Sequence, residues 1–201
     1  MTTTAFLSRG FRPFFLGGSI FAIAGMATWM AIFIFSFPVE LRNVTPFQWH
    51  AHEMIYGYAM AVIAGFLLTA AWNWTGRRTA DGLPLAALFA LWAAARIMMF
   101  GGTTLIAWAT VADLAFMAGL ALAIARPIIK TRQARQAPVL LLLLLLAITR
   151  LVFTLGVVGV LDDGARTGVY GGLYLVLGMV LFMGRRVIPF FTQRGVEYDA
   201  E

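Results

Sequence analysis

The run Trp49-His50-Ala51-His52-Glu53 heads an apolar stretch that reaches about Trp72, which sets two imidazoles and a carboxylate beside lipid. Ionisable side chains are costly there and mark function by default. Neutral imidazole is the commonest protein ligand for transition metals and also holds haem iron, whereas a histidine kept only for packing is more cheaply a leucine. A metal or haem site is therefore the first hypothesis these residues raise. On a continuous helix, residues two apart point about 200° apart, so His50 and His52 cannot chelate one ion together. His50 is expected to share a face with Glu53, Met54 and Gly57, and His52 with Tyr56 and Ala59. The chain has no third histidine and no cysteine, which excludes thiolate zinc sites, disulfides and iron–sulfur clusters. A second ligand would come from methionine (Met26, Met30, Met98 or Met99), from a second copy of the chain, or from a partner domain. His52 is the stronger ligand candidate, because it lies deeper and Tyr56 follows it one turn on.

Three more charges need partners. Asp113 and Arg150 fall at matching depths, roughly 15 Å below the outer surface at about 1.5 Å per residue, so pairing across helices would remove most of the cost of burying them. Arg96 falls higher, level with His52 and Glu53. It is a candidate partner for Glu53 or for an anionic cofactor edge such as a haem propionate, and Glu53 itself is a candidate hydrogen-bond partner of a ligand or a proton acceptor. The plainer alternative is a set of ion pairs that only fix helix register. Gly57, Ala61 and Gly65 follow at a spacing of four, a stripe of small residues that admits a neighbouring helix or a planar cofactor.

The elements that must hold these residues follow from composition. The chain is 61% hydrophobic and 12% charged, against roughly 25% charged residues in an average soluble domain. A soluble chain of this length would need a polar surface that these residues cannot make. Apolar runs of spanning length predict an all-α, polytopic bundle in one membrane domain over 1–201, with six spans at about 15–37, 50–72, 83–100, 104–125, 138–160 and 169–189. Seven consecutive leucines from Leu140 to Leu146 exclude an alternating barrel strand. Gly101-Gly102 predicts a tight hairpin between the third and fourth spans. Thr45, Pro46 and Gln48 form a capping-box start for the second helix. Eleven basic residues fall on the side of the termini and of the second and fourth loops, and only Arg42 and Arg166 on the other. That asymmetry predicts cytoplasmic termini and an outward-facing histidine motif. The net charge of +6 reads as topology and headgroup contact, not nucleic-acid binding. Arg12-Pro13-Phe14-Phe15 is echoed by Ile188-Pro189-Phe190-Phe191, and both are expected to anchor helix ends at the interface. No nucleophile, base and oxyanion constellation is present, which argues against hydrolytic or transfer chemistry and leaves redox chemistry open.

Ser8-Arg9-Gly10-Phe11-Arg12-Pro13-Phe14-Phe15-Leu16-Gly17-Gly18, Trp49-His50-Ala51-His52-Glu53-Met54, Ala64-Gly65-Phe66-Leu67-Leu68-Thr69-Ala70, Asn73-Trp74-Thr75-Gly76-Arg77 and Arg185-Arg186-Val187-Ile188-Pro189-Phe190-Phe191 together resemble the NnrS family of bacterial membrane proteins. The resemblance implies a multi-pass inner-membrane protein that binds haem and copper and takes part in denitrification and the nitric oxide response. It also implies that the family's histidine-bearing motif falls on His50 and His52 as candidate ligands. Relatives in this family are usually about twice as long, so the chain is expected to complete its site with a second copy or a missing second half. A proton-coupled secondary transporter using Glu53, Asp113 and Arg150 is the main alternative, and a cofactor-free assembly partner is another. A transporter is expected to show broken helices or paired repeats near the midplane.

Overall fold

The structure is a computed structural model that describes residues 3–37 and 44–196. Arg42, counted above on the outer side, lies outside the described residues. A short helix α1 (Thr3–Phe6) precedes α2 (Phe11–Phe33), α3 (Pro46–His52), a π-helical segment (Glu53–Ala59), α4 (Met60–Thr75), α5 (Gly82–Met98), α6 (Gly102–Lys130), α7 (Ala137–Val157) and α8 (Gly164–Val196). No strand occurs among the described residues. Six helical stretches are long and apolar enough to cross a membrane, the fully α-helical expectation in outline.

The first span is Phe11–Phe33, shifted towards the N-terminus from the expected 15–37. Pro13 fits a first helical turn, where its missing N–H costs nothing. Arg12 does not stop the helix, because its guanidinium folds back onto the Ala5 carbonyl and the Ser8 hydroxyl. The far end stops earlier than hydropathy suggests: Ser36 takes a left-handed φ of 50° and the Phe37 N–H bonds back to the Ala31 carbonyl. Phe14 is not an interface anchor. It is fully buried and packs edge-on to Phe89 and Trp92 at 5.7 and 6.3 Å, while Phe15, Phe190 and Phe191 stay exposed.

The stretch Pro46–Thr75 is the central post, with 67% of its most apolar window enclosed against 17% for Phe11–Phe33. Its start is the expected capping box: Thr45 Oγ1 accepts from the Gln48 N–H at 3.2 Å and Gln48 Oε1 from the Thr45 N–H at 2.9 Å. The small-residue stripe seats α2. A Cβ on Gly18 would meet Ala61 at 3.4 Å, and one on Gly65 would meet Phe15 at 2.8 Å and the Phe11 backbone at 3.2 Å. Helices α5 and α6 are joined by the single 3₁₀ turn Met99–Gly101, as the paired glycines required. Helices α7 and α8 lie so close that a Cβ on Gly164 would touch the Gly156 Cα at 2.8 Å.

Candidate functional site

At 30 residues, Pro46–Thr75 is about 45 Å long against roughly 30 Å of hydrocarbon, so its first turns reach the headgroup region and His52 falls near the edge of the apolar slab. The helix changes pitch immediately after that residue. Glu53–Ala59 is π-helical, a form that appears mostly as single turns at functional sites. The indole N–H of Trp92 donates to the Gly57 carbonyl at 2.9 Å, supplying from α5 a partner within the widened turn.

His52 is fully buried between Phe153 and Tyr56, with ring centroids 4.6 and 5.0 Å away. Its Nδ1 lies 2.8 Å from Glu53 Oε1. Both Glu53 oxygens also accept from Arg96 Nη1, at 3.1 and 3.0 Å. With Glu53 as the acceptor, the His52 proton would sit on Nδ1 and the ring's lone pair on Nε2. That Nε2 is buried without a partner.

The charges continue inward. Arg96 Nη2 donates to Asp113 Oδ1, and Arg150 Nε donates to Asp113 Oδ2 at 2.8 Å. Arg150 Nη1 donates to Thr154 Oγ1 at 2.5 Å, which lies 2.7 Å from Thr110 Oγ1. Two carboxylates and two guanidiniums, each at most 4% exposed, thus form a neutral chain across the central post, α5, α6 and α7. Neutrality and short hydrogen bonds offset a desolvation cost that would otherwise be several kcal/mol per ion.

Glu53 does not share a face with His50, as uniform α-helical spacing predicted. The π segment begins at Glu53, and the carboxylate turns to His52 and Arg96. His50 points the other way and stacks on Trp29 of α2, 4.4 Å between centroids, with its Nδ1 buried and unpaired. Arg96 lies level with Glu53 and also reaches Asp113, so it spends both terminal nitrogens on protein carboxylates and leaves only Nε without a partner. Of the methionines considered as ligands, Met99 is buried beside Arg150, with its sulfur 3.8 Å from Nη2, while Met26 and Met30 are exposed. Trp92, Phe153, Thr110 and Thr154 were not singled out by the sequence. Their spacing carries a signal all the same: Trp92 lies four residues before Arg96, Thr154 four after Arg150 and Thr110 three before Asp113, each on the helix face of a charged residue.

A single buried imidazole nitrogen with its opposite N–H on a carboxylate fits a haem iron or metal ligand. Among the described residues no three His, Asp or Glu side chains converge as a metal set, so a copper ion would need donors from elsewhere. Neither histidine lines the clefts at the loop ends of the helices or between α4 and α8.

No curated protein and no solved structure matches this chain. The family model described as NnrS protein matches residues 5–201, and it covers every motif and every member of the charge network named above. The chain belongs to the NnrS family.

Proposed function

We propose that this chain is a haem-binding protein of the bacterial inner membrane that serves the nitric oxide response, in which His52 would hold the iron through Nε2 at the outer end of the bundle. The observation that carries the reading is the placement of His52: Nδ1 2.8 Å from Glu53 Oε1, and Nε2 buried with no partner. Family membership supports it. Haem iron, when bound, supplies a coordination position for a diatomic ligand. The chain's own groups do the rest. Glu53 holds the imidazole in one orientation. Arg96 binds both Glu53 oxygens from the far side, and Phe153 and Tyr56 exclude water from the ring. Copper is proposed at a site shared with a second copy or a partner chain, because His50 and His52 face opposite ways.

Detergent-purified protein expressed with ample haem should show a Soret band. His52→Ala should abolish or strongly shift it, whereas His50→Ala should weaken haem binding at most about 10- to 100-fold without removing the site. Equal, small effects from both substitutions would sink the assignment. A proton-coupled transporter using Glu53, Asp113 and Arg150 is the second reading. It draws support from the change of helical pitch at Glu53–Ala59 beside that charge chain, and a chain that takes up neither haem nor copper when both are supplied would favour it.

A further inference from the structure

At the opposite, basic end of the bundle, a cleft of about 590 Å³ opens between α5, the loop before it and the last turns of α6. One face of α6 builds most of it. Gly119, Leu122 and Ala123 line its inner part, and Arg126 and Lys130 continue the same stripe to its mouth. That face is therefore apolar and then basic along its length, over about 16 Å at 1.5 Å per residue. Leu88 of α5 forms the opposite apolar wall, and Arg77 adds a third cation at the mouth. Asp81 is the one carboxylate there, and it is engaged by Arg78 at 3.0 Å. Arg77, Arg126 and Lys130 have no ion-pair partner among the described residues.

We propose that this cleft is a binding site for one anionic phospholipid, its phosphate held by Arg77, Arg126 and Lys130 and an acyl chain laid against Leu122 and Ala123. Two further observations favour a lipid over a soluble phosphate. Leu122 is 56% exposed on the flank of a membrane-crossing helix, so the apolar half opens where acyl chains are the solvent. Trp72, with the Arg9 guanidinium 4.0 Å over its ring and that of Arg78 at 5.7 Å, marks the headgroup level beside the mouth. Basic pockets between helices at that level are suited to phosphate headgroups.

The test is native mass spectrometry of the detergent-purified full chain titrated with phosphatidylglycerol or phosphatidylcholine. Phosphatidylglycerol should add one tightly held lipid and phosphatidylcholine should not. Arg126→Gln with Lys130→Gln should weaken that adduct about fivefold for each charge removed. Ala123→Leu, which narrows the apolar half and leaves every charge in place, should weaken it too. Arg132→Gln with Arg135→Gln, at a separate arginine cluster, should leave it intact. Equal binding of the two lipids, or equal loss in both charge variants, would reduce the site to general surface charge and overturn the proposal. Displacement by glycerol phosphate as effectively as by phosphatidylglycerol would show a phosphate site without a lipid, and overturn it as well.

Discussion

His52 would hold its proton on Nδ1 with Glu53 as the acceptor, and Arg96 binds both Glu53 oxygens from the far side. Glu53→Gln keeps the shape but removes the charge. Haem titration of that variant should show affinity about 10- to 100-fold lower with the Soret band retained, the usual consequence of altering a ligand's hydrogen-bond partner. Further in, Asp113→Asn leaves Arg150 and Arg96 short of a counter-charge and should cost about 3 kcal/mol or more, read as folded yield or denaturation in detergent. Adding Arg150→Gln should recover much of the loss, and additive effects in the double-mutant cycle would mean that the pair contributes no coupling. Depth counting along the sequence pointed to Asp113 with Arg150 and to Glu53 with Arg96. It could not show that Arg96 joins the two pairs, because that depends on how far α5 and α6 are rotated towards each other.

The π-helical turn is the element that makes the site. It starts at Glu53, whose carboxylate meets His52 and Arg96, while His50, one turn earlier in α3, lies against Trp29. The capping box predicted where this helix starts, because the cap is local chemistry in Thr45, Pro46 and Gln48. The pitch change was not legible: its partner, the Trp92 indole, lies 35 residues away. Trp92→Phe keeps most of the volume and removes the donor to Gly57. The expected loss is about 1 kcal/mol in stability, together with a shift in the Soret position of the haem-loaded protein. An unchanged spectrum would mean that the turn keeps its form without that bond. Tyr56 adds a second tie, donating to the Gly168 carbonyl at 2.7 Å. It fits only because a Cβ on Gly172 would stand 2.5 Å from its hydroxyl, so Gly172→Leu should dislodge Tyr56 and raise solvent access to His52, measured by hydrogen exchange.

At the scale of the molecule, the distribution of basic residues predicts that reporter fusions at the C-terminus and in the loop 131–136 read cytoplasmic, while one near Asp162 reads external. A cytoplasmic reading at Asp162 would break the six-span arrangement. Span number was legible because apolar length is a property of the chain alone, whereas the ends of the first helix moved with local contacts, Arg12 on Ala5 and Ser8 at its start and the left-handed Ser36 past its end. The neutral charge chain also bears on how the protein is made. Arg96 and Asp113 sit on successive helices joined by one short turn, so the α5–α6 hairpin can leave the translocon with its own charges already matched. Glu53 is synthesised before that hairpin and Arg150 after it, and each enters lipid on a helix that carries no counter-ion of its own. Where helices enter lipid in chain order, the hairpin offers Glu53 of the earlier helix and Arg150 of the later one the opposite charge that each lacks, and a chain stopped before α7 would leave Asp113 with one of its two guanidiniums.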